Sequence, residues 1–303
     1  MSATTGALPR VAVLGTGIMG RQMARRLAEH GAVVSVWNRT RAGALPLEAH
    51  GITVADDPKG ACRDADVAIV MVTDGPSSDA VVLGDGGALT ALAGRSGPVC
   101  VVMSSIPVET AEAQGAAAAR CGVAYIDAPV SGGEPGARDG TLAIMAGGAE
   151  PDIEALRPVF DVLGRVTRVG PVGAGSLAKL ANQMIVGVTI SAIAEALLLV
   201  ERGGGDPGAF ISAVAGGFAD GPLLRNHGQR MVDRDFEPGA MATIQLKDLA
   251  TALATGARLG SPMPVTGETR ALYDSLCASG DGARDHNAVL LELLRRTGQG
   301  DIA

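Results

Sequence analysis

The chain has 303 residues, of which 47% are hydrophobic, and this length favours two domains over one. The formal net charge of −7 offers no basic stripe, which excludes nucleic acid as the expected partner. The cysteines are far apart and lack CxxC or Cys/His metal spacing, so we expect reduced thiols in a cytoplasmic protein; they are Cys62, Cys100, Cys121 and Cys277.

The first part of the chain alternates between two kinds of segment. Residues 1–8 lack the apolar segment of a signal peptide and are expected to form a short flexible tail. In residues 9–173, short β-rich runs alternate with helical ones, which predicts a mostly parallel, doubly wound α/β sheet. Helices are expected at 18–29, 107–120 and 152–162, among others. The predicted strands are residues 11–15, 33–37, 67–72, 99–103, 124–127, 142–146 and 165–169.

A glycine fingerprint lies at the turn between the first strand and the first helix. Residues 11–20 read VAVLGTGIMG, which is G-x-G-x-x-G with Ile18 and Met19 in its variable positions. Gly15 permits the tight turn, Gly17 lets a pyrophosphate approach the backbone, and Gly20 allows the helix to pack on the strand. Unpaired amides at the helix N-terminus favour the phosphate charge. The pattern therefore predicts a dinucleotide site.

The end of the second strand indicates which dinucleotide binds. An NAD enzyme usually places Asp or Glu there, to bind the ribose 2′-hydroxyl. This chain has Asn38, Arg39 and Thr40, followed by Arg41, and no carboxylate. Since a guanidinium offers a 2′-phosphate a planar, permanently charged partner, NADP(H) is favoured over NAD(H). The alternative is that both arginines are solvated loop charges.

Residues 174–303 have no predicted strands. Ser176 is expected to cap a helix that runs to about residue 202, where three glycines end it. The helix is apolar nearly all round and therefore needs cover on every face, which suggests that a second subunit packs against it. It contains Glu195 and is interpreted as a buried helix, not a membrane span. Further helices are predicted at 207–215, 222–232, 242–259, 264–278 and 287–296.

Several polar residues are candidates for the chemistry of a carbonyl or alcohol substrate. Lys179 and Asn182 are three residues apart and so share one face of the long helix. A lysine near a helix N-terminus in a partly apolar cleft is expected to have a lowered pKa, useful for acid/base work. Lys247 and Asp248 are expected in the first turn of another helix, where the alternative is simple solvation. The histidines His30, His50, His227 and His286 are expected in loop or surface positions without catalytic partners.

Two loops that follow strands are further candidates. The segment MSSIP at 103–107 and the segment DAPVSGG at 127–133 both lie where open α/β sheets bind ligands, beyond the carboxyl ends of the strands. The second loop offers a hydroxyl and backbone amides suited to a substrate carboxylate. Taken alone, it could equally be a tight turn rich in proline and glycine.

Four motifs in order resemble the β-hydroxyacid dehydrogenase family: GTGIMG, DAPVSGG, GAGSLAKLANQ and DFEPGAMATIQLKDL. The family includes 3-hydroxyisobutyrate dehydrogenases and semialdehyde reductases, and the resemblance covers about residues 9–297. It implies a Rossmann-type domain, an all-α domain built on the long helix, assembly as a dimer or tetramer, and no metal. It also implies direct hydride transfer, with Lys179 as general acid/base and Asn182 orienting a small carboxylate-bearing substrate.

The resemblance assigns the remaining roles as well. Ser131, Gly132 and Gly133 would hold the substrate carboxylate, and Ser105 and Lys247 would contact the cofactor near its nicotinamide. Asp248 would support this arrangement.

Two segments depart from the family pattern and leave the substrate open. Ala240 replaces the usual aromatic residue after Pro-Gly, and the C-terminal G-x-G-D-x-D-x-S-A pattern is only partly kept in residues 279–288. A remodelled pocket would fit an imine or bulky ketone reductase of the same fold, although the family pattern of imine reductases lacks the lysine at 179. A non-catalytic nucleotide-binding module is a further alternative.

Overall fold

The computed structural model describes residues 8–298. The predicted flexible tail, apart from Leu8, lies outside these residues. The chain divides into two compact units, one that ends at Lys179 and one that begins at Leu180. The division falls within a single long helix.

The first unit is an α/β unit with a nine-stranded sheet, in the order β3-β2-β1-β4-β5-β6-β8-β7, with β9 beside β8. The first six strands of this order, from β3 through β1 to β6, are parallel to their neighbours. Strand β8 runs antiparallel to β6 and β7, and β9 is parallel to β8. The strands are β1 Val11–Leu14, β2 Val34–Trp37, β3 Thr53–Val54, β4 Val67–Val70, β5 Val99–Val102, β6 Ala124–Asp127, β7 Val130–Ser131, β8 Leu142–Gly147 and β9 Gly164–Gly170. The helices are α1 Ile18–Glu29, α2 Pro58–Cys62, α3 Gly75–Leu83, α4 Ala88–Leu92, α5 Val108–Arg120, α6 Gly133–Asp139, α7 Glu150–Ala155 and α8 Arg157–Leu163.

Both faces of this sheet are covered. On β1, Val11 and Val13 pack into one apolar cluster, whereas Ala12 and Leu14 pack into the other. All four side chains are buried, as expected for a parallel strand with helices on both sides. The predicted doubly wound, mostly parallel sheet is therefore confirmed.

The structure corrects three details of the predicted elements. The helix expected at 152–162 is two helices, α7 and α8, because Pro158 has no amide hydrogen to bond the carbonyl of Glu154. The two-residue strands β3 and β7 were not predicted, since they are too short to show a period. As a result Ser131, expected in a loop, pairs with Ala143 on β8.

The second unit is helical. It contains most of α9 Ala174–Arg202, and then α10 Pro207–Ala213, α11 Gln229–Val232, α12 Ala242–Arg258, α13 Pro264–Leu276 and α14 Val289–Arg296. A π-helical turn, Leu224–Gly228, precedes α11. The core of this unit includes Ile190, Leu197, Leu249, Tyr273 and Leu290. The predicted all-α character of this part of the chain is confirmed.

The N-terminus of α9 is held by a distant carboxylate and not by Ser176. The helix begins at Ala174, so Ser176 lies inside it, and the predicted cap is wrong. Asp127 at the end of β6 instead accepts the amides of Gly173 (2.8 Å) and Ser176 (2.7 Å). Burial raises the pKa of the Asp127 carboxyl, while these amide bonds favour its charged form.

Close backbone approach makes this cap possible. A Cβ on Gly175 would collide with the carbonyl oxygen of Asp127, and one on Gly147 would collide with the Asp127 carboxylate. Gly175 in the GAGSLAK segment and Gly147 on β8 thus let the first turn of α9 lie against the end of β6.

Helix α9 is buried on one face only. Among residues 8–298 it is the one helix long and apolar enough to cross a membrane, with a mean hydropathy of 2.0 in a window that is 33% buried. Ile190, Ala194 and Leu197 are buried in the helical core, whereas Ile185 and Leu199 are 65% and 75% exposed. The expected burial is therefore correct for one side of a core helix, and an apolar face is left uncovered.

Candidate active site

The turn between β1 and α1 shows which of its glycines the protein itself requires. A Cβ on Gly15, whose φ is 102°, would collide with the carbonyl oxygen of Met71, and one on Gly20 would collide with that of Gly15. Gly17 differs, because its φ is −65° and a Cβ there would meet nothing within 4 Å. Packing therefore does not demand glycine at position 17. The space over its backbone, at the N-terminus of α1, is open, which is what close approach of a pyrophosphate to the backbone requires.

The next residues of α1 also border this space. Ile18 is 57% exposed and Met19 is half-buried, so both can contact a ligand that lies across the turn.

The two arginines that follow β2, Arg39 and Arg41, have different surroundings. Arg41 forms an ion pair with Asp56, with 2.6 Å between its Nη1 and the carboxylate. Arg39 is exposed, and no side chain or backbone group among residues 8–298 hydrogen-bonds to it or pairs with it. Of the two, Arg39 is therefore the cation left available to a ligand.

Asn38 ties the end of β2 to the glycine turn. Its Oδ1 accepts the amide of Thr16 at 3.0 Å, and its Nδ2 donates to the carbonyl of Thr40 at 2.9 Å. Since both ends of the amide are used, Asn38 sets the spacing between the glycine turn and the arginine segment.

The loop after β5 contains two serines with different surroundings. Ser104 is fully buried, and its Oγ accepts the amide of Val72 at 2.7 Å, which holds this loop against the end of β4. Ser105 is half-buried, and its hydroxyl has no hydrogen-bond partner among the described residues. Ser104 therefore shapes the loop, and Ser105 is the serine that can reach a ligand.

The segment after β7 presents two backbone amides. Gly132 and Gly133 have φ values of 137° and 63°, a conformation that favours glycine. Both are exposed, and in residues 8–298 their amides donate no hydrogen bond outside helices and strands. With Ser131 beside them, they can offer donors to an anion.

Lys179 and Asn182 lie one turn apart on α9. Lys179 is half-buried and lies in the second turn of the helix, because α9 begins at Ala174. Asn182 donates from Nδ2 to Oε1 of Gln183 at 2.8 Å, and Gln183 donates from Nε2 to Oδ2 of Asp248 at 3.0 Å. The side chain of Gln183 thus connects a predicted site residue of α9 to one of α12, a role that sequence reasoning missed.

On α12, Lys247 and Asp248 have different surroundings. The helix begins at Ala242, so both residues lie in its second turn and not in its first. Asp248 is only 3% exposed, and the solvated alternative is wrong for it. Lys247 is 45% exposed in its side chain, and its Nζ lies 3.2 Å from Oδ1 of Asp248.

Two histidines expected at the surface are in fact part of a buried cluster. His286 is 7% exposed, and its ring lies edge-on to that of His227, with 4.7 Å between centroids. Ring nitrogens of both lie near Asp285 Oδ1, at 3.7 Å for His227 and 3.8 Å for His286. Burial lowers the pKa of His286 to about 4. The sequence held no signal for this cluster, because 58 positions separate residues 227 and 285 and no motif joins them.

This His227–Asp285–His286 cluster is the one group of such residues in the described part of the chain that could share a cation. The guanidinium of Arg230 already lies 3.3 Å from Asp285 Oδ1 and supplies positive charge there. Asp285 Oδ2 accepts the amides of Gly239 (2.8 Å) and Ala240 (3.0 Å). The two segments that depart from the family pattern are therefore neighbours, joined by one carboxylate.

Comparison with known proteins shows the family to which the chain belongs. Residues 10–173 match the family model described as the NAD binding domain of 6-phosphogluconate dehydrogenase. Residues 173–293 match the model described as NAD-binding of NADP-dependent 3-hydroxyisobutyrate dehydrogenase.

Individual relatives cover nearly the whole chain. The 2-hydroxy-3-oxopropionate reductase of Escherichia coli is 38% identical over 94% of this chain and 98% of its own. The 2-(hydroxymethyl)glutarate dehydrogenase of Eubacterium barkeri is 30% identical over 95% and 96%. A structure of Mycobacterium tuberculosis 3-hydroxyisobutyrate dehydrogenase with L-serine superposes with a TM-score of 0.85, at 30% identity, over 94% of this chain and 99% of that one. The chain therefore belongs to the β-hydroxyacid dehydrogenase family of NAD(P)-dependent oxidoreductases.

Proposed function

We propose that this protein is an NADP(H)-dependent reductase of a small semialdehyde or 2-oxo acid that carries a carboxylate. The observation that carries the proposal is the pair Lys179 and Asn182, one turn apart on α9, with the amide of Asn182 held by Gln183. A half-buried lysine suits proton transfer to a carbonyl oxygen, and a fixed amide suits orientation of the group that reacts.

The cofactor preference rests on Arg39. Its guanidinium is exposed and unengaged by the described residues, at the strand end where dinucleotide-binding folds meet the adenosine ribose. A 2′-phosphate would gain a charge-assisted, bidentate partner there. The proposed pyrophosphate contacts are Gly15, Gly17, Ile18, Met19 and Gly20. Asn38 and Thr40 would border the ribose, and Ser105 and Lys247 would contact the nicotinamide end.

In the proposed mechanism the chain's residues bind, orient and transfer a proton. Bound NADP(H) supplies the hydride in reduction and accepts it in oxidation. Ser131 and the amides of Gly132 and Gly133 hold the substrate carboxylate, and Asn182 orients the reacting group. Lys179 as ammonium gives a proton to the carbonyl oxygen during reduction, and as neutral amine takes it back during oxidation.

The substrate class is inferred from the relatives and from the site. The Escherichia coli relative is named for reduction of 2-hydroxy-3-oxopropionate, and the Mycobacterium tuberculosis relative is solved with L-serine. Both small molecules combine a carboxylate with a neighbouring oxygen function. We infer a substrate of the same size, handled in the cytoplasm by a dimer or tetramer whose second copy covers the apolar face of α9.

The test is turnover by wild type and by Lys179→Ala, side by side. NADPH and NADH oxidation is measured with glyoxylate, succinic semialdehyde, tartronate semialdehyde, methylmalonate semialdehyde and a cyclic imine. We expect NADPH-selective reduction of one carboxylate-bearing carbonyl, and a loss of about 10²- to 10⁴-fold in kcat for Lys179→Ala. The exposed Lys59 gives a matched control, since Lys59→Ala should keep kcat.

The alternatives give different results in the same assay. Reduction of the imine alone, with indifference to the loss of Lys179, would assign the protein to the imine or bulky ketone reductases that Ala240 leaves room for. Tight NADPH binding without turnover of any compound would indicate a nucleotide-binding module. Preference for NADH would refute the assignment of Arg39.

A further inference from the structure

A buried carboxylate and two side-chain amides form a hydrogen-bonded chain between α9 and α12, which we call the Asn182 relay. It consists of Asn182, Gln183 and Asp248, and Lys247 forms an ion pair with Asp248 at its end. The distances are 2.8 Å from Asn182 Nδ2 to Gln183 Oε1, 3.0 Å from Gln183 Nε2 to Asp248 Oδ2, and 3.2 Å from Lys247 Nζ to Asp248 Oδ1. All four residues lie in the helical unit.

The relay has only one possible direction. An ionised carboxylate accepts hydrogen bonds and donates none, so Asp248 requires the Nε2 side of Gln183. The Oε1 side of Gln183 must then face Asn182, and it can accept only from Nδ2 of Asn182. The charge of Asp248, which Lys247 balances, therefore determines how the amide of Asn182 is turned.

The middle of the relay is held firmly. Gln245 donates from Nε2 to the backbone carbonyl of Gln183 at 3.0 Å, and Gln245 is 1% exposed. A Cβ on Gly187 would come within 2.5 Å of the Gln245 amide, so glycine at 187 permits this approach. Neighbouring side chains on a helix diverge, and the bond from Asn182 to Gln183 therefore restricts the rotamers of both.

From this geometry we infer that Gln183 is a positioning residue. The charged Asp248 fixes the orientation of the Gln183 amide, and Gln183 in turn fixes the orientation of the Asn182 amide. The inference rests on the proposed function of Asn182. One Nδ2 hydrogen of Asn182 is committed to Gln183, and no donor among residues 8–298 hydrogen-bonds to its Oδ1. The second Nδ2 hydrogen and Oδ1 are therefore held in fixed positions. The hydrogen can donate to the carbonyl oxygen of the substrate, and Oδ1 can accept from the hydroxyl group that carbonyl reduction creates.

The positioning role of Gln183 is tested by moving the carboxylate from position 248 to position 183 by mutation. Gln183→Glu places a second acceptor-only carboxylate against Asp248, so the relay breaks and Asn182 loses its orientation. In the double variant Gln183→Glu/Asp248→Asn, the new amide at 248 can donate to the new carboxylate at 183. That carboxylate still accepts from Asn182, so the original orientation returns with the same net charge.

Wild type, the two single variants Gln183→Glu and Asp248→Asn, and the double variant form a double-mutant cycle. These four proteins are compared by kcat/KM for the carbonyl substrate. We expect Gln183→Glu to lower kcat/KM by about 100-fold, mainly through kcat, because misplacing an orienting group costs about that much. In the Asp248→Asn background the same change should cost at least about fivefold less, which is the coupling expected of residues in one network. Costs that are equal in the two backgrounds would overturn the inference.

The pH profile provides a readout that a merely structural role would not move. Two adjacent carboxylates raise the pKa of one of them. In the Gln183→Glu variant, a protonated carboxyl at position 183 could donate to Asp248 while still accepting from Asn182. The ratio of Gln183→Glu to wild-type kcat/KM should therefore rise as the pH falls towards 5, and a constant ratio would count against the relay.

The matched control is Gln229, which donates from Nε2 to Asp233 at 3.0 Å on the surface of the same unit. Gln229→Glu makes the same substitution opposite the same kind of partner and should keep kcat/KM within about twofold. If the wild type reduces no carbonyl compound, the proposed function fails. The relay is then tested by the unfolding midpoints of the same four proteins. A midpoint shift in the double variant that differs from the sum of the two single shifts supports the relay, and a shift equal to that sum refutes it.

Discussion

The buried histidine cluster predicts that the helical unit loses stability in mild acid. His286 is 7% exposed, and burial lowers its pKa from an ordinary 6.5 to about 4. Asp285 favours the charged ring, but His227 and Arg230 oppose it along with desolvation. The ring is therefore neutral in the folded protein at pH 7 and protonates more readily once the chain unfolds.

The sign and size of the effect follow from linkage. Between about pH 6.5 and pH 4, the unfolded chain binds a proton at His286 that the folded chain does not bind, so stability falls as the pH falls. Each pH unit in this window costs about 1.4 kcal/mol, and the full window costs about 3 kcal/mol. Above pH 6.5 the residue contributes no pH dependence.

The assay is urea unfolding, followed by far-UV circular dichroism, at half-unit steps from pH 7.5 to pH 4. His286→Phe removes one titrating group and keeps an aromatic ring, so the free energy of unfolding should fall less steeply across this window. His227 remains in the variant, and burial lowers its pKa as well, so part of the slope should persist. His50→Phe, at an exposed position, should keep the wild-type slope. If the wild-type and His286→Phe curves run parallel, burial is not what holds this ring neutral and the reasoning is wrong.

Three further predictions concern the first unit and α9. Arg39→Ala should raise the Kd for NADPH about 10- to 100-fold and leave that for NADH unchanged, because one charge-assisted phosphate contact is lost. The ion-paired Arg41→Ala should change either Kd by less than about threefold, and equal effects of the two variants in fluorescence titrations would contradict the assignment. Asp127→Ala should lower the free energy of unfolding by about 2 kcal/mol, because two buried amides of α9 lose their acceptor, whereas Asp127→Asn should cost less; equal costs in urea unfolding would argue against the cap. Ile185→Lys and Leu199→Lys should reduce the sedimenting mass if a second copy covers α9, and an unchanged mass would exclude these residues from such an interface.

Local patterns in the sequence were sufficient to predict the fold class: an α/β unit in the first part of the chain and an all-α unit in the second. Gly15 and Gly20 are required by backbone conformation and close contact, and such requirements show directly in residue type. The end of α9 near residue 202 was predictable for the same reason, since three glycines follow it. The family resemblance singled out Lys179 and Asn182, which periodicity alone left open.

The tertiary structure decided how these residues are held. Asp127 reaches the first turn of α9 across 49 positions, Gln183 reaches Asp248 across 65, and His227 lies beside Asp285, 58 positions further along the chain. Such partners are set by which helices and strands pack together, and residue type alone does not reveal them. The same holds for the two arginines after β2, which look equivalent in sequence until Asp56 pairs with one of them. Sequence determines what each short segment can form, and packing determines which polar groups find a partner and which remain for a ligand.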